Sequence, residues 1–208
     1  SISKEVQSRV KKYYKRNSSI VYPPIEDKFY TKKVIPLKDR DYYLVVGRLV
    51  PYKKVDLAIR AFNKLNLPLI IAGVGSEEKK LRKISGPNIL FVGAVDDDSL
   101  IELYRRAKAV IFPADEDFGL VPLEALASGT PVIAFNKGGA VETVQHLKTG
   151  YLFDEQSEES LVAAVRGFEK LKLKTEDCVK KSQMFNQLQF SREFSAEINR
   201  LWAKHLQN

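Results

Sequence analysis

The chain has 208 residues, of which 44% are hydrophobic, enough to bury a sizeable core, and its formal net charge is +8. It contains no run of about 18 apolar residues that could span a membrane, and its N-terminal sequence lacks the apolar stretch of a secretory signal. The single cysteine, Cys178, excludes an intrachain disulfide framework and a cysteine-based zinc site. These features predict a globular, cytoplasmic protein.

The positive charge is concentrated near the N-terminus. Residues 1–60 contain 15 Lys and Arg against 6 Asp and Glu, whereas residues 61–208 contain 19 against 20. Such a basic flank can contact the anionic inner face of a cell membrane, but Val6, Val10 and Tyr13 have nearly helical spacing, which favours a helix with a solvated basic face. We expect the solvated face, keep peripheral membrane contact as the alternative, and predict no nucleic acid partner.

Short apolar runs alternate with amphipathic stretches from residue 42 to about residue 170. Apolar residues recur at helical spacing from Val55 to Leu65, between the first and second runs, and from Leu100 to Ala107, between the third and fourth. Nearly continuous apolar strands separated by helices predict an α/β fold, a doubly wound, mainly parallel sheet of Rossmann type with helices on both faces. The predicted strands are residues 42–48, 67–73, 88–95, 109–114, 130–135 and 150–154.

The two ends of the chain have different patterns. Residues 1–40 predict a helix, a short strand in SSIVYPPI and a lysine-rich connector. Residues 173–208 predict two helices, at about 175–186 and 191–206. We therefore divide the chain into an N-terminal helix and linker (1–40), a Rossmann-like domain (41–172) and C-terminal helices (173–208).

Loops that follow the strands are where a doubly wound sheet binds ligands. After the first strand, GRLVPYKK places Arg48 and Lys53 near Gly47, and two cations beside a glycine suit a diphosphate, although ordinary surface charges would look the same. After the second strand, AGVGSEEKK has Glu78 where a dinucleotide fingerprint has its third glycine. This departure argues against a nicotinamide-dependent dehydrogenase.

An acidic run, VDDDS, follows the third strand. Asp96 and Asp98 match an Asp-x-Asp pattern that could hold a divalent metal for a nucleotide sugar. An amphipathic helix begins directly after them, however, and Asp or Ser commonly caps the N-terminus of such a helix by accepting a hydrogen bond from an amide of its first turn. We favour the cap and predict no metal site.

Two glutamates stand out in FPADEDFGLVPLEALASGTPVIAF (residues 112–135), a largely apolar segment after the fourth strand. Pro122 suits the first turn of a helix, so the amides near residues 119–121 would lie at the ligand edge of the sheet, where helix N-termini bind phosphate. Glu124 lies one turn into this helix, where an unpaired carboxylate is costly and a ribose diol would offer two donors. Glu116, in the preceding loop, could accept hydrogen bonds from sugar hydroxyls. The alternative is that neither glutamate binds a ligand: Glu116 would be an exposed acid in a loop, and Glu124 would lie on a solvated edge of the helix.

The motifs together resemble the retaining glycosyltransferases of family 4, which have the two-domain GT-B fold. The matching stretches are GRLVPYKK, IAGVGSEEKKL, FVGAVDDDSLIELYRRA, FPADEDFGLVPLEALASGTPVIAFNKGGAVETV and TGYLFD, over about residues 40–170, with VYPPIEDKFY leading into them. Lys54 stands where the family usually has glycine. The resemblance implies that the chain is the C-terminal, donor-binding half of such an enzyme. Its partner would be an N-terminal GT-B domain that carries the acceptor site and the catalytic histidine. We therefore assign the role of catalytic histidine to neither His146 nor His205.

The resemblance also implies roles for individual residues. Arg48 and Lys53 would neutralise the diphosphate leaving group and Glu116 would hold the donor sugar, so these three are the candidate catalytic residues. Glu124 would bind the ribose. The other candidate donor-binding residues are Gly47, Val95 beside the base, and Phe118, Gly119, Leu120 and Val121 through their backbone amides.

The expected function is transfer of a hexose, by analogy mannose from GDP-mannose, to a glycan or lipid-linked acceptor in polysaccharide biosynthesis, without a metal cofactor. This chain alone is expected to be inactive. A glycosyltransferase that uses a UDP-sugar is one alternative. A noncatalytic module that binds a nucleotide or nucleotide sugar is the other.

Overall fold

Six short strands form the central sheet of the protein, whose computed structural model describes residues 1–30 and 35–207. The strands are β1 (Tyr42–Val46), β2 (Leu69–Ala72), β3 (Ile89–Gly93), β4 (Ala107–Phe112), β5 (Val132–Phe135) and β6 (Gly150–Phe153). They are arranged in the order β3-β2-β1-β4-β5-β6, and every neighbouring pair is parallel. The doubly wound, Rossmann-like fold that the sequence predicts is therefore confirmed.

Helices cover both faces of this sheet. Because side chains alternate along a strand, Tyr43 and Val45 face one core cluster and Leu44 faces the other. The described helices are α1 (Lys4–Arg9), α2 (Val55–Leu65), α3 (Glu78–Ile84), α4 (Asp97–Arg106), α5 (Leu120–Ala127), α6 (Ala140–Thr143), α7 (Glu158–Glu169), α8 (Thr175–Ser182) and α9 (Gln187–Leu206). The first cluster includes side chains of α2, α3 and α7, and the second includes side chains of α4, α5 and α8.

The strand order reverses between β1 and β4. From β1 the chain proceeds outward to β2 and β3, and from β4 it proceeds in the opposite direction to β5 and β6. The two loops that leave the carboxyl ends of β1 and β4 consequently diverge and leave a crevice between them, which is where open α/β sheets bind ligands. The fold thus identifies the loops after β1 and β4 as the place to look for a site.

A buried arginine ties these two central strands together. Arg40, just before β1, is only 2% exposed and donates hydrogen bonds to the carbonyl oxygens of Ile35, Ala107 and Gly129 and to the Thr130 hydroxyl, at 2.7 to 3.0 Å. These acceptors are neutral, and burial lowers the pKa of Arg40 to about 10. Arg40, which no sequence motif marks, links the start of β1 to the start of β4 and to the turn after α5.

The two ends of the chain depart in part from the predicted elements. The predicted strand in SSIVYPPI is wrong: this stretch forms only a single bridge, between Ile25 and Asn186, because Pro23 and Pro24 have no amide hydrogen to donate to a sheet. The predicted C-terminal helices are confirmed as α8 and α9, with shifted bounds. Part of the predicted lysine-rich connector, residues 31–34, lies outside the described residues.

The basic N-terminal helix is short and largely exposed. A π-helical turn continues α1 to Tyr14, and Lys11, Lys12 and Tyr13 all face solvent. Tyr13 is 68% exposed, so its predicted place on the inner face of the helix is wrong. Throughout residues 1–30 and 35–207, no helix has the length and apolar character needed to cross a bilayer.

Candidate functional site

The loops after β1 and β4 meet through an ion pair. Lys53 ends the 3-10 turn Pro51–Lys53 after β1, and its Nζ donates a hydrogen bond to Oε1 of Glu116 in the loop after β4. Both side chains are largely shielded, with 15% and 18% of their surfaces exposed. Parallel pairing of β1 with β4 brings these residues together across 63 positions of sequence. Two of the three predicted catalytic residues are therefore in contact.

Arg48 lies on the solvent side of the same crevice. The preceding residue, Gly47, has φ +142°, a conformation that favours glycine, and its amide donates to the carbonyl of Ala72. Arg48 is exposed, and its guanidinium donates to the Tyr52 hydroxyl at 3.3 Å. Its charge therefore remains accessible at the mouth of the crevice, whereas that of Lys53 is shielded by Glu116.

An apolar cavity of about 320 Å³ opens beside Arg48 at the carboxyl ends of β1, β2 and β3. Its lining residues are Val46, Gly47, Arg48, Ala72, Gly73, Val74, Ala94, Val95 and Leu100. One charged side chain at the edge of an otherwise apolar wall suits a flat aromatic group joined to an anion. Val95, predicted to border a base, lies in this wall.

Helix α5 begins beside the Glu116 loop. Gly119, directly before it, has φ +78°. Among the described residues, none caps the start of the helix with its side chain, so the first amides can donate to a ligand. The amide of Gly139 donates to the carbonyl of Glu116 at 2.8 Å, and a β-carbon at Gly139 would lie 2.1 Å from the α-carbon of Phe118. The loop after β5 therefore packs directly on the Glu116 loop and holds it against the sheet.

The predicted residues around the start of α5 differ in what they expose. The Phe118 side chain is buried and stacks on Tyr22, with ring centroids 5.7 Å apart, so only its backbone can serve a ligand. Leu120 is exposed, and Val121 is partly buried. The role of Phe118 to Val121 through their backbone amides stays a prediction.

Glu124 has a protein donor that the sequence did not reveal. The hydroxyl of Tyr104, a fully buried residue of α4, donates to Oε2 of Glu124 at 2.8 Å. Burial raises the pKa of Glu124, and the hydrogen bond from Tyr104 partly offsets that rise. The expectation that Glu124 needs donors is met in part by Tyr104. The apolar spacing of Leu100, Leu103 and Tyr104 indicated packing alone and gave no sign of this second role.

The charges near Glu124 differ from those near Glu116. Glu26, Lys28 and Asp97 act on Glu124 electrostatically, and Lys28 pairs with both Glu26 and Asp97 at 2.8 Å. Lys53 is the partner of Glu116. The two glutamates therefore occupy separate parts of the site, on opposite sides of the start of α5 in the sequence.

The aspartates after β3 form a helix cap. Oδ1 of Asp96 accepts a hydrogen bond from the Ser99 amide at 2.8 Å, and this bond lowers the pKa of Asp96. The predicted cap is confirmed, and Asp98 is exposed on the first turn of α4. In the described ranges of the chain, no group of three or more His, Cys, Asp or Glu side chains is arranged to hold a metal ion.

The two histidines lie in packing or surface positions. Nδ1 of His146 accepts a hydrogen bond from the Leu152 amide at 2.9 Å, and its ring packs edge-on against Tyr151. His205 lies beside Trp202 on the exposed end of α9. These are the packing and surface positions expected from the sequence.

Known proteins resemble this chain in both sequence and structure. An uncharacterized glycosyltransferase of Methanocaldococcus jannaschii is 35% identical over 136 residues, which cover 60% of this chain and 35% of the relative. A GDP-mannose-dependent alpha-(1-6)-phosphatidylinositol monomannoside mannosyltransferase of Mycobacterium tuberculosis is 34% identical over 152 residues, covering 64% of this chain and 40% of the relative. The chain thus spans well under half the length of both relatives.

The fold is shared with a solved enzyme complex. The crystal structure of Anabaena HepE in complex with UDP and glucose matches with a TM-score of 0.83 at 20% identity, covering 96% of this chain and 62% of HepE. The sequence pattern of the family described as glycosyl transferases group 1 matches residues 27–185, most of the chain. The chain therefore belongs to the glycosyl transferases group 1 family, in agreement with the resemblance that its motifs predict.

Proposed function

We propose that this chain forms the donor-binding half of a retaining glycosyltransferase that uses a nucleoside-diphosphate sugar. The observation that carries the proposal is the meeting of Lys53 and Glu116, with Arg48 nearby, between the carboxyl ends of β1 and β4 and beside the uncapped start of α5. This crevice offers cations and amides to a diphosphate and a carboxylate to a sugar.

Arg48, Lys53 and the first amides of α5 act on the leaving group. As the glycosidic bond to the donor sugar breaks, the bonding electrons remain with the diphosphate, which gains negative charge. Positive groups that are already held in place stabilise this charge more in the transition state than in the bound donor, which lowers the barrier. The proposal assigns this task to the protein and includes no metal ion.

Glu116 and Glu124 hold the two sugars of the donor. Carboxylate oxygens accept hydrogen bonds from hydroxyl groups, so Glu116 binds the transferred sugar and Glu124 the ribose. The base then lies in the apolar cavity bordered by Gly47 and Val95. Glu116 is paired with Lys53 in the structure, and donor binding directs Lys53 to the diphosphate and Glu116 to the sugar hydroxyls.

GDP-mannose is the favoured donor. The mycobacterial relative is GDP-mannose-dependent and acts on a phosphatidylinositol mannoside, which supports mannose transfer to a glycan or lipid-linked acceptor in the cytoplasm, with contact to the membrane surface. HepE was crystallised with UDP and glucose, which supports a UDP-sugar as the second candidate. In either case the acceptor site belongs to an N-terminal GT-B domain that partners this chain.

Isothermal titration with GDP, UDP, ADP and NAD, each with and without EDTA, tests the proposal. Half of a two-domain site should bind its nucleotide with about 5 to 7 kcal/mol, a micromolar to submillimolar dissociation constant. We expect one nucleoside diphosphate to bind best and EDTA to make no difference; preference for GDP would favour mannose. Binding of NAD alone, or binding abolished by EDTA, would contradict the proposed site.

A further inference from the structure

We propose that Tyr104 is a positioning residue for Glu124, holding its carboxylate in the orientation that accepts the ribose hydroxyls of the donor. This inference rests on the proposed function, because it concerns the same nucleotide site. It starts from the contact between α4 and α5: the fully buried Tyr104 hydroxyl donates to Oε2 of Glu124 at 2.8 Å, and Glu124 itself is partly buried.

Tyr104 is itself fixed from two sides. Its ring packs edge-on against Phe29, with centroids 6.1 Å apart at an interplanar angle of 69°. Its carbonyl accepts a hydrogen bond from the Thr130 hydroxyl at 2.6 Å, and that hydroxyl accepts from the buried guanidinium of Arg40 at 2.7 Å. Because both ring and backbone are anchored, the phenolic oxygen has a fixed position, and the carboxylate to which it donates is restrained in turn.

One fixed donor leaves most of the carboxylate free for a ligand. An ionised carboxylate can accept about four hydrogen bonds over its two oxygens. Within residues 1–30 and 35–207, the hydrogen bond that Glu124 receives on its side chain comes from Tyr104 to Oε2, so Oε1 keeps its acceptor sites. The bond from Tyr104 restrains the position of Oε2, and Oε1 can then accept from a vicinal diol.

The charges around Glu124 make the tyrosine hydroxyl important for its ionisation. Glu26 and Asp97 disfavour the charged carboxylate and Lys28 favours it, but Lys28 also pairs with both of these acids at 2.8 Å. Burial is the largest influence and raises the pKa of Glu124, while the Tyr104 bond lowers it. Removing the hydroxyl should therefore raise this pKa further, so that Glu124 becomes protonated at higher pH and loses acceptor capacity there.

The test compares ribonucleotides with 2′,3′-dideoxyribonucleotides. The whole 208-residue chain is titrated with UDP, GDP and ADP and with the dideoxy form of whichever binds best, from pH 5 to 8. Wild-type protein should prefer the ribonucleotide by about tenfold or more, since hydrogen bonds to a charged group are among the stronger ones. In Tyr104→Phe this preference should fall by about threefold while dideoxynucleotide affinity stays within about twofold, and the acidic limit of the remaining preference should move to higher pH.

Two variants serve as controls. Tyr42→Phe deletes a partly buried tyrosine hydroxyl that donates to the Leu103 carbonyl at 3.0 Å, next to the same helix but without contact to Glu124, and it should keep the full preference. Glu124→Gln should lose the preference, and adding Tyr104→Phe to it should have no further effect. A purely structural role for Tyr104 would weaken both nucleotides equally and leave the pH dependence unchanged.

The outcomes separate this inference from the proposed function. If Glu124→Gln loses the ribose preference while Tyr104→Phe retains both the preference and its pH dependence, the positioning role is wrong and the nucleotide site stands. If wild-type protein binds no nucleotide, or Glu124→Gln binds both forms as wild type does, the proposed ribose site is wrong.

A second measurement covers the case in which Tyr104→Phe does not fold. Site-specific 3-fluorotyrosine in place of Tyr104 keeps both ring and hydroxyl. Its fluorine resonance should move on ribonucleotide binding and move less on dideoxynucleotide binding; equal shifts would overturn the inference.

Discussion

Replacing Glu116 with glutamine should strengthen the binding of a nucleoside diphosphate that carries no sugar. Glu116 is the ion-pair partner of Lys53, so it competes with a diphosphate for this cation. Glutamine has nearly the same size but no charge, so it holds Lys53 less strongly. With the sugar absent, the loss of a sugar acceptor costs nothing, and the release of Lys53 should dominate the change.

The size of the effect follows from the burial of the pair. Exposed ion pairs contribute about 0 to 1 kcal/mol, and hydrogen bonds to charged groups about 1.5 to 3 kcal/mol. The Lys53 and Glu116 side chains are 15% and 18% exposed, so the pair lies between these cases. A competing interaction of about 1 to 2 kcal/mol corresponds to a nucleoside diphosphate affinity about 5- to 30-fold higher in Glu116→Gln.

Isothermal titration of wild type, Glu116→Gln and Asp117→Asn measures this effect. Asp117 is the neighbouring acid, about half exposed and paired with Arg9, so its substitution removes the same charge without freeing Lys53. Asp117→Asn should change affinity by less than about twofold, because exposed charges are screened. If Glu116→Gln binds the nucleoside diphosphate no more tightly than Asp117→Asn does, the ion pair does not compete with the ligand and the role of Lys53 is wrong.

Two further predictions concern stability. Arg40→Met should lower the free energy of unfolding by at least about 3 kcal/mol, because it removes the guanidinium that donates to several buried carbonyl groups. Arg60 is exposed, so the control Arg60→Met should change the free energy of unfolding by less than about 1 kcal/mol. A urea titration in which both variants unfold alike would contradict this prediction. Asp96→Ala should lower the melting temperature near neutral pH through loss of the bond to Ser99. Because the folded-state pKa of Asp96 is lowered, its contribution is present above the unfolded-state pKa and is lost as pH falls through the folded-state pKa; a difference from wild type that persists below that range would refute the capping role.

Periodicity located the sheet because a buried parallel strand has a simple signature. Apolar runs such as those around Leu44 and Ile133 alternate with helical spacing, and each predicted strand overlaps an observed one. The strand predicted in SSIVYPPI is wrong because Pro23 and Pro24, which were expected to hold it, cannot donate to a ladder. Local composition therefore identified the strands where they are buried on both faces and misled at the edge of the domain.

The residues that support the site were harder to predict. Arg40 looks like any other of the 34 basic residues, since its buried guanidinium is held by the carbonyl groups of Ala107 and Gly129, which are far from it in the sequence. Tyr104 fitted an apolar helix face, and its hydroxyl acquires a role only when α4 meets α5. Lys53 and Glu116 were expected at one site, but their pairing with each other depends on the register between β1 and β4. Sequence thus indicated candidate ligand-binding groups and missed the groups that hold them.

The central claim is that Arg48 and Lys53 together bind the diphosphate of a donor, and a paired substitution tests it most directly. Arg48→Ala/Lys53→Ala should abolish measurable binding of the preferred nucleoside diphosphate. The matched variant Lys170→Ala/Lys172→Ala removes two positive charges at the far end of α7 and should bind as wild type does. If the first double variant still binds the nucleoside diphosphate with wild-type affinity, the crevice between β1 and β4 is not the diphosphate site.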